Sequence, residues 1–122
     1  MDKKMILIID DDPDFRYSLR LILESGGYLV EEAPSAEDGL KMFKAAPPAL
    51  VIVDLMMEEV DSGTNFVKEM KSLGTTVPIF MLSSVGDQMS QTTSYAELGL
   101  SGVLQKPVEP KNLLTTIAKK LG

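Results

Sequence analysis

The sequence predicts an α/β fold, a doubly wound five-stranded parallel sheet with helices on both faces. Apolar runs of strand length recur at residues 5–9, 28–30, 50–53, 77–82 and 102–104. Three of them are apolar on consecutive residues, as expected for parallel strands covered on both sides. Between the runs lie segments whose apolar residues repeat at three and four, giving one buried stripe per helix. Strict alternation of strand and helix implies right-handed crossovers. The 122 residues suit one domain, 1–122, and no linker, repeat or low-complexity stretch divides them.

Each element has its own local justification. The first run, Met5-Ile6-Leu7-Ile8-Ile9, is too short for a signal peptide or a membrane span. Asp10-Asp11-Asp12 follows, and Pro13 suits a first helical turn, where a missing N–H costs nothing. Phe15, Leu19, Ile22 and Leu23 form the first stripe, and Gly26-Gly27 stops that helix. The second strand, 28–30, ends in Glu31-Glu32 and is expected at a sheet edge. Ser35, with Asp38 three residues on, caps a helix carrying Ala36, Leu40 and Phe43, and Pro47-Pro48 ends it. The third helix shows Phe66, Val67, Met70 and Leu73 before Gly74. A fourth helix is expected at 87–98, where Ser90, Thr92, Thr93 and Ser94 give weak helical propensity. The last helix carries Leu113, Leu114, Ile117 and Leu121.

Composition narrows the chemistry. There are 18 Asp plus Glu against 12 Lys plus Arg, a net charge of −6, with no His, Cys or Trp. Zinc sites of the usual kind, His-dependent triads and thiol redox chemistry are excluded. The acidity disfavours direct nucleic-acid or anionic-membrane binding, which need a clustered basic face. Lys3-Lys4 and Lys119-Lys120 sit at opposite ends of the chain. A cytoplasmic location is expected, consistent with the absence of a disulfide framework.

In a doubly wound sheet, ligands bind beyond the carboxyl ends of the strands. The residues there are Asp10, Asp11 and Asp12, then Asp54, then Ser83 and Ser84, then Gln105, Lys106 and Pro107. Taken singly, each has a structural reading as a cap, a solvated loop acid or a turn residue. Together they bring acids, hydroxyls and one lysine to a single edge. Two carboxylates 4 Å apart repel by about 4 kcal/mol at an effective dielectric of about 20. A hard dication, Mg²⁺ or Mn²⁺, relieves that repulsion in an all-oxygen site. With Lys106, the set forms a cradle for a phosphoryl group in which a carboxylate oxygen attacks in line.

These residues resemble the receiver domains of two-component response regulators, the family of the bacterial chemotaxis regulator. The carriers are Ile8-Ile9-Asp10-Asp11-Asp12-Pro13-Asp14, Val51-Ile52-Val53-Asp54-Leu55-Met56-Met57, Pro78-Ile79-Phe80-Met81-Leu82-Ser83-Ser84 and Gln105-Lys106-Pro107. The resemblance implies a flavodoxin-like strand order of 2-1-3-4-5. It implies Asp54 as acceptor of a phosphoryl group from a sensor histidine kinase or phosphotransfer protein, with Asp10, Asp11, Asp54 and the Met56 backbone carbonyl holding Mg²⁺. Ser83, with Ser84 beside it, matches the switch hydroxyl, Lys106 the phosphate-pairing lysine, and Lys106–Pro107 a cis peptide bond. Asp12 reads as a helix cap. The output face would be built from the fourth helix, fifth strand and fifth helix, including Val103, Val108 and the exposed side of residues 111–121. It would address a protein target or output domain, with homodimerisation left open. The implied activity is regulatory, limited to self-phosphorylation and slow self-dephosphorylation. A chain ending just after the last helix fits either a stand-alone regulator or a receiver taken from a longer protein.

Three departures from the family pattern stand out. Met57 is followed by Glu58-Glu59-Val60-Asp61-Ser62-Gly63, without the usual proline and longer by one residue. Val103 occupies the gate position where the family commonly has Tyr or Phe. Val85 and Met56 place apolar groups beside the phosphoryl position, which implies a long-lived phosphorylated state. Two other functions compete: a receiver-like interaction module with degraded phosphorylation, and a haloacid-dehalogenase-type phosphatase using Asp10.

Overall fold

A computed structural model describes residues 3–54, 62–83 and 100–121. Its elements are β1 (Met5–Ile9), α1 (Pro13–Ser25), β2 (Leu29–Ala33), α2 (Ala36–Ala45), β3 (Leu50–Asp54), α3 (Ser62–Ser72), β4 (Ile79–Ser83), β5 (Gly102–Gln105) and the C-terminal helix α4 (Pro110–Leu121). The strands form one parallel sheet in the order β2-β1-β3-β4-β5. The order reverses between β1 and β3, so their crossovers leave toward opposite faces and open a crevice at their carboxyl ends.

Period-two alternation explains how the faces are filled. Leu7, Ile9, Val51, Val53, Ile79 and Met81 point to one side, against Phe43 of α2 and Phe66, Val67 and Met70 of α3. Ile6, Ile8, Leu50, Ile52, Phe80 and Leu82 point to the other, against Leu19 and Leu23 of α1 and Leu113 and Ile117 of α4. Each fully buried aliphatic side chain contributes about 1.5–3 kcal/mol. Asp10 and Asp54 continue the even-numbered series that ends in Ile8 and Ile52, the side that carries α1.

The helix ends follow local chemistry. The Asp12 side chain accepts from the backbone N–H groups of Asp14 and Phe15 and caps α1, and Ser35 caps α2 through the N–H of Asp38. Gly27 and Gly74 take positive φ just past α1 and α3, where a side chain would be strained. Gly39 lets α2 approach β1 closely, since a Cβ there would lie 2.4 Å from Ile9 Cδ1.

Several expected boundaries are corrected. The second strand is Leu29–Ala33, not 28–30. The N–H of Tyr28 still donates to Leu23 O at the end of α1, while Glu31 and Glu32 pair with Leu7 and Ile8 inside the sheet. The fourth strand begins at Ile79, after Pro78, which has no N–H to donate to a ladder. Leu73 lies past the end of α3 and is exposed. Ser62 and Gly63, expected in an extended loop, belong to α3. The helix expected at 87–98 lies outside the described residues.

Candidate functional site

Asp10 is the first residue beyond β1 and is completely buried. Its N–H donates to Ala33 O at 3.1 Å, and its Oδ1 accepts from the N–H of Asp12 at 2.9 Å. Its carbonyl accepts from the Arg16 guanidinium. Asp54, the last residue of β3, is also buried and stands in register with Leu82 of β4. Asp11 is exposed. One carboxylate oxygen from each of Asp10, Asp11 and Asp54 lies within 4.8 Å of the other two.

Lys106 enters from the end of β5, where its N–H donates to Ser83 O at 2.8 Å and its peptide bond to Pro107 is cis. Its Nζ lies 3.1 Å from Asp10 Oδ2 and 3.4 Å from Asp54 Oδ2. The same ammonium sits 4.4 Å from the centroid of the Phe15 ring, a cation–π contact from α1. Burial alone would lower the Lys106 pKa, but close contact with Asp10 and the charges of Asp10 and Asp54 outweigh it and hold it above the ordinary lysine value. The side chain is therefore an ammonium at neutral pH.

A cation fits these donors on two grounds. Three carboxylates and one ammonium leave a formal charge of −2, which a dication balances. Asp10 Oδ2 is buried and makes an ion pair with the Lys106 ammonium at 3.1 Å but no assigned hydrogen bond. A buried carboxylate oxygen lacking a directed donor is costly, and a coordinated hard cation satisfies it.

An ion-pair network backs the site. Arg16 Nε donates to Glu32 Oε1 at 3.0 Å, and Arg20 Nε donates to Glu32 Oε2 at 2.6 Å. Burial pushes the Glu32 pKa up, but hydrogen bonds and charge from Arg20 and Arg16 overcome this and hold it below the usual carboxylate range. The Arg20 guanidinium is correspondingly held above its ordinary value, chiefly by its hydrogen bond to Glu32.

The structure thus brings Asp10, Asp11, Asp54 and Lys106 together. Ser83 ends β4 at the same edge, buried and in register with Gln105. Val103, expected at a gate position, lies in β5 opposite Met81 and packs, half-buried, on the α2/α3 side of the sheet. Val108 likewise packs, half-buried, against the α1/α4 side. Met56, Ser84, Val85 and the acids Glu58, Glu59 and Asp61 lie outside the described residues. Sequence reasoning missed Phe15 as a neighbour of Lys106, and Arg16 and Glu32 as neighbours of Asp10. The available signal was two arginines four apart on the helix that follows the acidic triplet, with acids on the next strand.

Comparison with known proteins adds an independent line. The family model described as "Response regulator receiver domain" matches residues 6–118. The probable transcriptional regulator ycf27 of Porphyridium aerugineum is 37% identical over 121 residues, covering 99% of this chain and 49% of that protein. Response regulator MprA of Mycolicibacterium vanbaalenii is 33% identical over 109 residues, 89% of this chain and 46% of that one. The chain thus spans about half the length of these relatives. Among solved structures, a CheY-like response regulator receiver domain protein from Methanospirillum hungatei superposes with a TM-score of 0.88 at 29% identity, covering 98% of this chain and 94% of that one. Chemotaxis response regulator CheY4 of Vibrio cholerae gives 0.83 at 29% identity, covering 97% and 98%.

Proposed function

The chain belongs to the response regulator receiver domain family, and from that premise we propose that its carboxyl-edge cluster accepts a phosphoryl group on Asp54 from a histidine kinase or phosphotransfer protein. The observation that carries this reading is the meeting of Asp10, Asp11 and Asp54 oxygens within 4.8 Å, with the Lys106 ammonium 3.4 Å from Asp54. Residues 1–122 act in this reading as one receiver unit.

In the transfer step an Asp54 carboxylate oxygen attacks the phosphorus of a phosphohistidine. The O–P bond forms as the N–P bond breaks, and the departing imidazole takes up a proton from solvent. Lys106 turns from the two carboxylates to the incoming anion, and the Ser83 hydroxyl donates to a phosphoryl oxygen. Asp10, Asp11, Asp54 and the Met56 carbonyl would hold Mg²⁺ or Mn²⁺, which supplies charge neutralisation for the transferring group. Ser84, next in sequence to Ser83, would offer a second hydroxyl to the phosphoryl group. Hydrogen bonding by Ser83 and Lys106 to the phosphoryl group favours one of two packings and so alters a protein-interaction surface. With Val103 in place of an aromatic gate, output cannot depend on ring rotation. The activity is regulatory, with slow self-dephosphorylation, and acts on a protein target or output domain in the cytoplasm.

Treatment with acetyl phosphate and Mg²⁺, followed by intact mass measurement, tests this reading. Wild type should gain the mass of one phosphoryl group, and EDTA or Asp54→Asn should abolish the gain. No gain in wild type, or equal gain in Asp54→Asn, contradicts it.

A further inference from the structure

The geometry points to Arg16 as a positioning residue for the cation site: its guanidinium, braced by Glu32, fixes the Asp10 carbonyl and thereby the aim of the Asp10 and Asp11 carboxylates. This rests on the proposal above that the cluster holds a divalent cation. Three of the four polar groups of Asp10 are tied down within the fold. Its N–H is held by Ala33 O, its Oδ1 by the N–H of Asp12, and its carbonyl by Arg16. Only Oδ2 remains without a hydrogen bond. The peptide unit is planar, so the clamp on the Asp10 carbonyl also orients the N–H and Cα of Asp11. One contact therefore governs the direction of two of the three acids in the cluster.

Arg16 is itself held. Its Nε donates to Glu32 Oε1 at 3.0 Å, while Arg20 engages the other oxygen of Glu32 at 2.6 Å. Glu32 pairs with Ile8 in the sheet, so the brace is anchored to the strand that delivers Asp10. Arg16 sits one turn into α1, and its own N–H closes on Asp12 O at 3.0 Å. The planar guanidinium spans a carbonyl and a carboxylate at once. A lysine ammonium in the same place is a compact point charge without that fixed fork.

Charge and positioning make opposite predictions, which makes the idea testable. Removing a cation beside an acidic cluster should tighten divalent-ion binding by simple electrostatics. Loss of a group that orients metal ligands typically weakens binding by about 10–100-fold. Mn²⁺ titrations followed by the EPR signal of free Mn²⁺ would be run on wild type, Arg16→Met, Arg16→Lys and the remote cation control Lys41→Met. Urea unfolding of each establishes that it is folded under the assay conditions. Both Arg16 variants should bind Mn²⁺ about tenfold more weakly, or worse, while Lys41→Met stays at wild-type affinity. Arg16→Lys decides alone if Arg16→Met does not fold. Affinity within about twofold of wild type in Arg16→Lys, or tighter binding in Arg16→Met, overturns the positioning role and leaves the cation site standing. A wild type that takes up no Mn²⁺ overturns both.

Discussion

Lys106 ties the acidic cluster to the first helix. Its ammonium lies between Asp10 and Asp54 and against the face of Phe15, in the region where a dication would compete with it. Replacing it with methionine removes the charge that separates two buried carboxylates. Lys106→Met should destabilise the cation-free chain by about 1 kcal/mol, a figure discounted for partial solvent screening, and should tighten Mg²⁺ binding. Urea unfolding with EDTA, beside Mg²⁺ calorimetry, checks the two opposite signs. Because the folded pKa of Lys106 is raised, its stabilising contribution is fully present below the ordinary lysine value and is lost as pH rises through the folded one. The stability gap between wild type and variant should therefore close only on the alkaline side. Equal unfolding midpoints at neutral pH, or weaker Mg²⁺ binding in the variant, would count against the assignment. Asp10, Asp11, Asp54 and Lys106 were legible in the sequence because charged residues directly after apolar strands have few structural reasons to gather at one edge. Arg16 was not, because an arginine on an amphipathic helix reads as ordinary solvated surface until its partner strand is known.

At the scale of elements, the site is set by how closely α2 and α1 approach the end of β1. Gly39 is the tight point on one side, where the missing Cβ makes room for Ile9, the residue before Asp10. Gly39→Ala would gain about 1 kcal/mol of helix propensity but must displace a fully buried isoleucine, at about 1–3 kcal/mol. The net expectation is a loss of about 1 kcal/mol in urea unfolding, together with weaker Mn²⁺ uptake as the end of β1 shifts. A more stable variant with unchanged uptake would show that α2 does not constrain the site. The strands covered on both faces were readable as apolar runs, and β1 was placed residue for residue. The edge strand β2 was misjudged because Glu31 and Glu32 read as its end. Both pair within the ladder, and Glu32 is accommodated there because Arg16 and Arg20 neutralise it across the α1 face. Leu73 was counted with a helical stripe by spacing alone, although the helix stops at Ser72 and leaves it in solvent.

For the molecule as a whole, the strand order decides where chemistry can occur. A reversal between β1 and β3 brings the ends of these two strands to one crevice, acids distant in sequence become neighbours, and Lys106 reaches them from beyond β5. The fold alone does not assign the reaction, since this architecture hosts several functions. The assignment comes from two buried carboxylates and an ammonium meeting where the topology places them. Among the described residues no helix is long and apolar enough to cross a membrane. The central claim is that Asp54, and not another acid of the cluster, receives the phosphoryl group. Borohydride reduction of the chain after acetyl phosphate treatment, followed by peptide mapping, reads out the phosphorylated carboxyl directly. Conversion of Asp54 to homoserine, with Asp10, Asp11 and Asp12 left intact, is the predicted result; conversion at Asp10 with Asp54 untouched would contradict it.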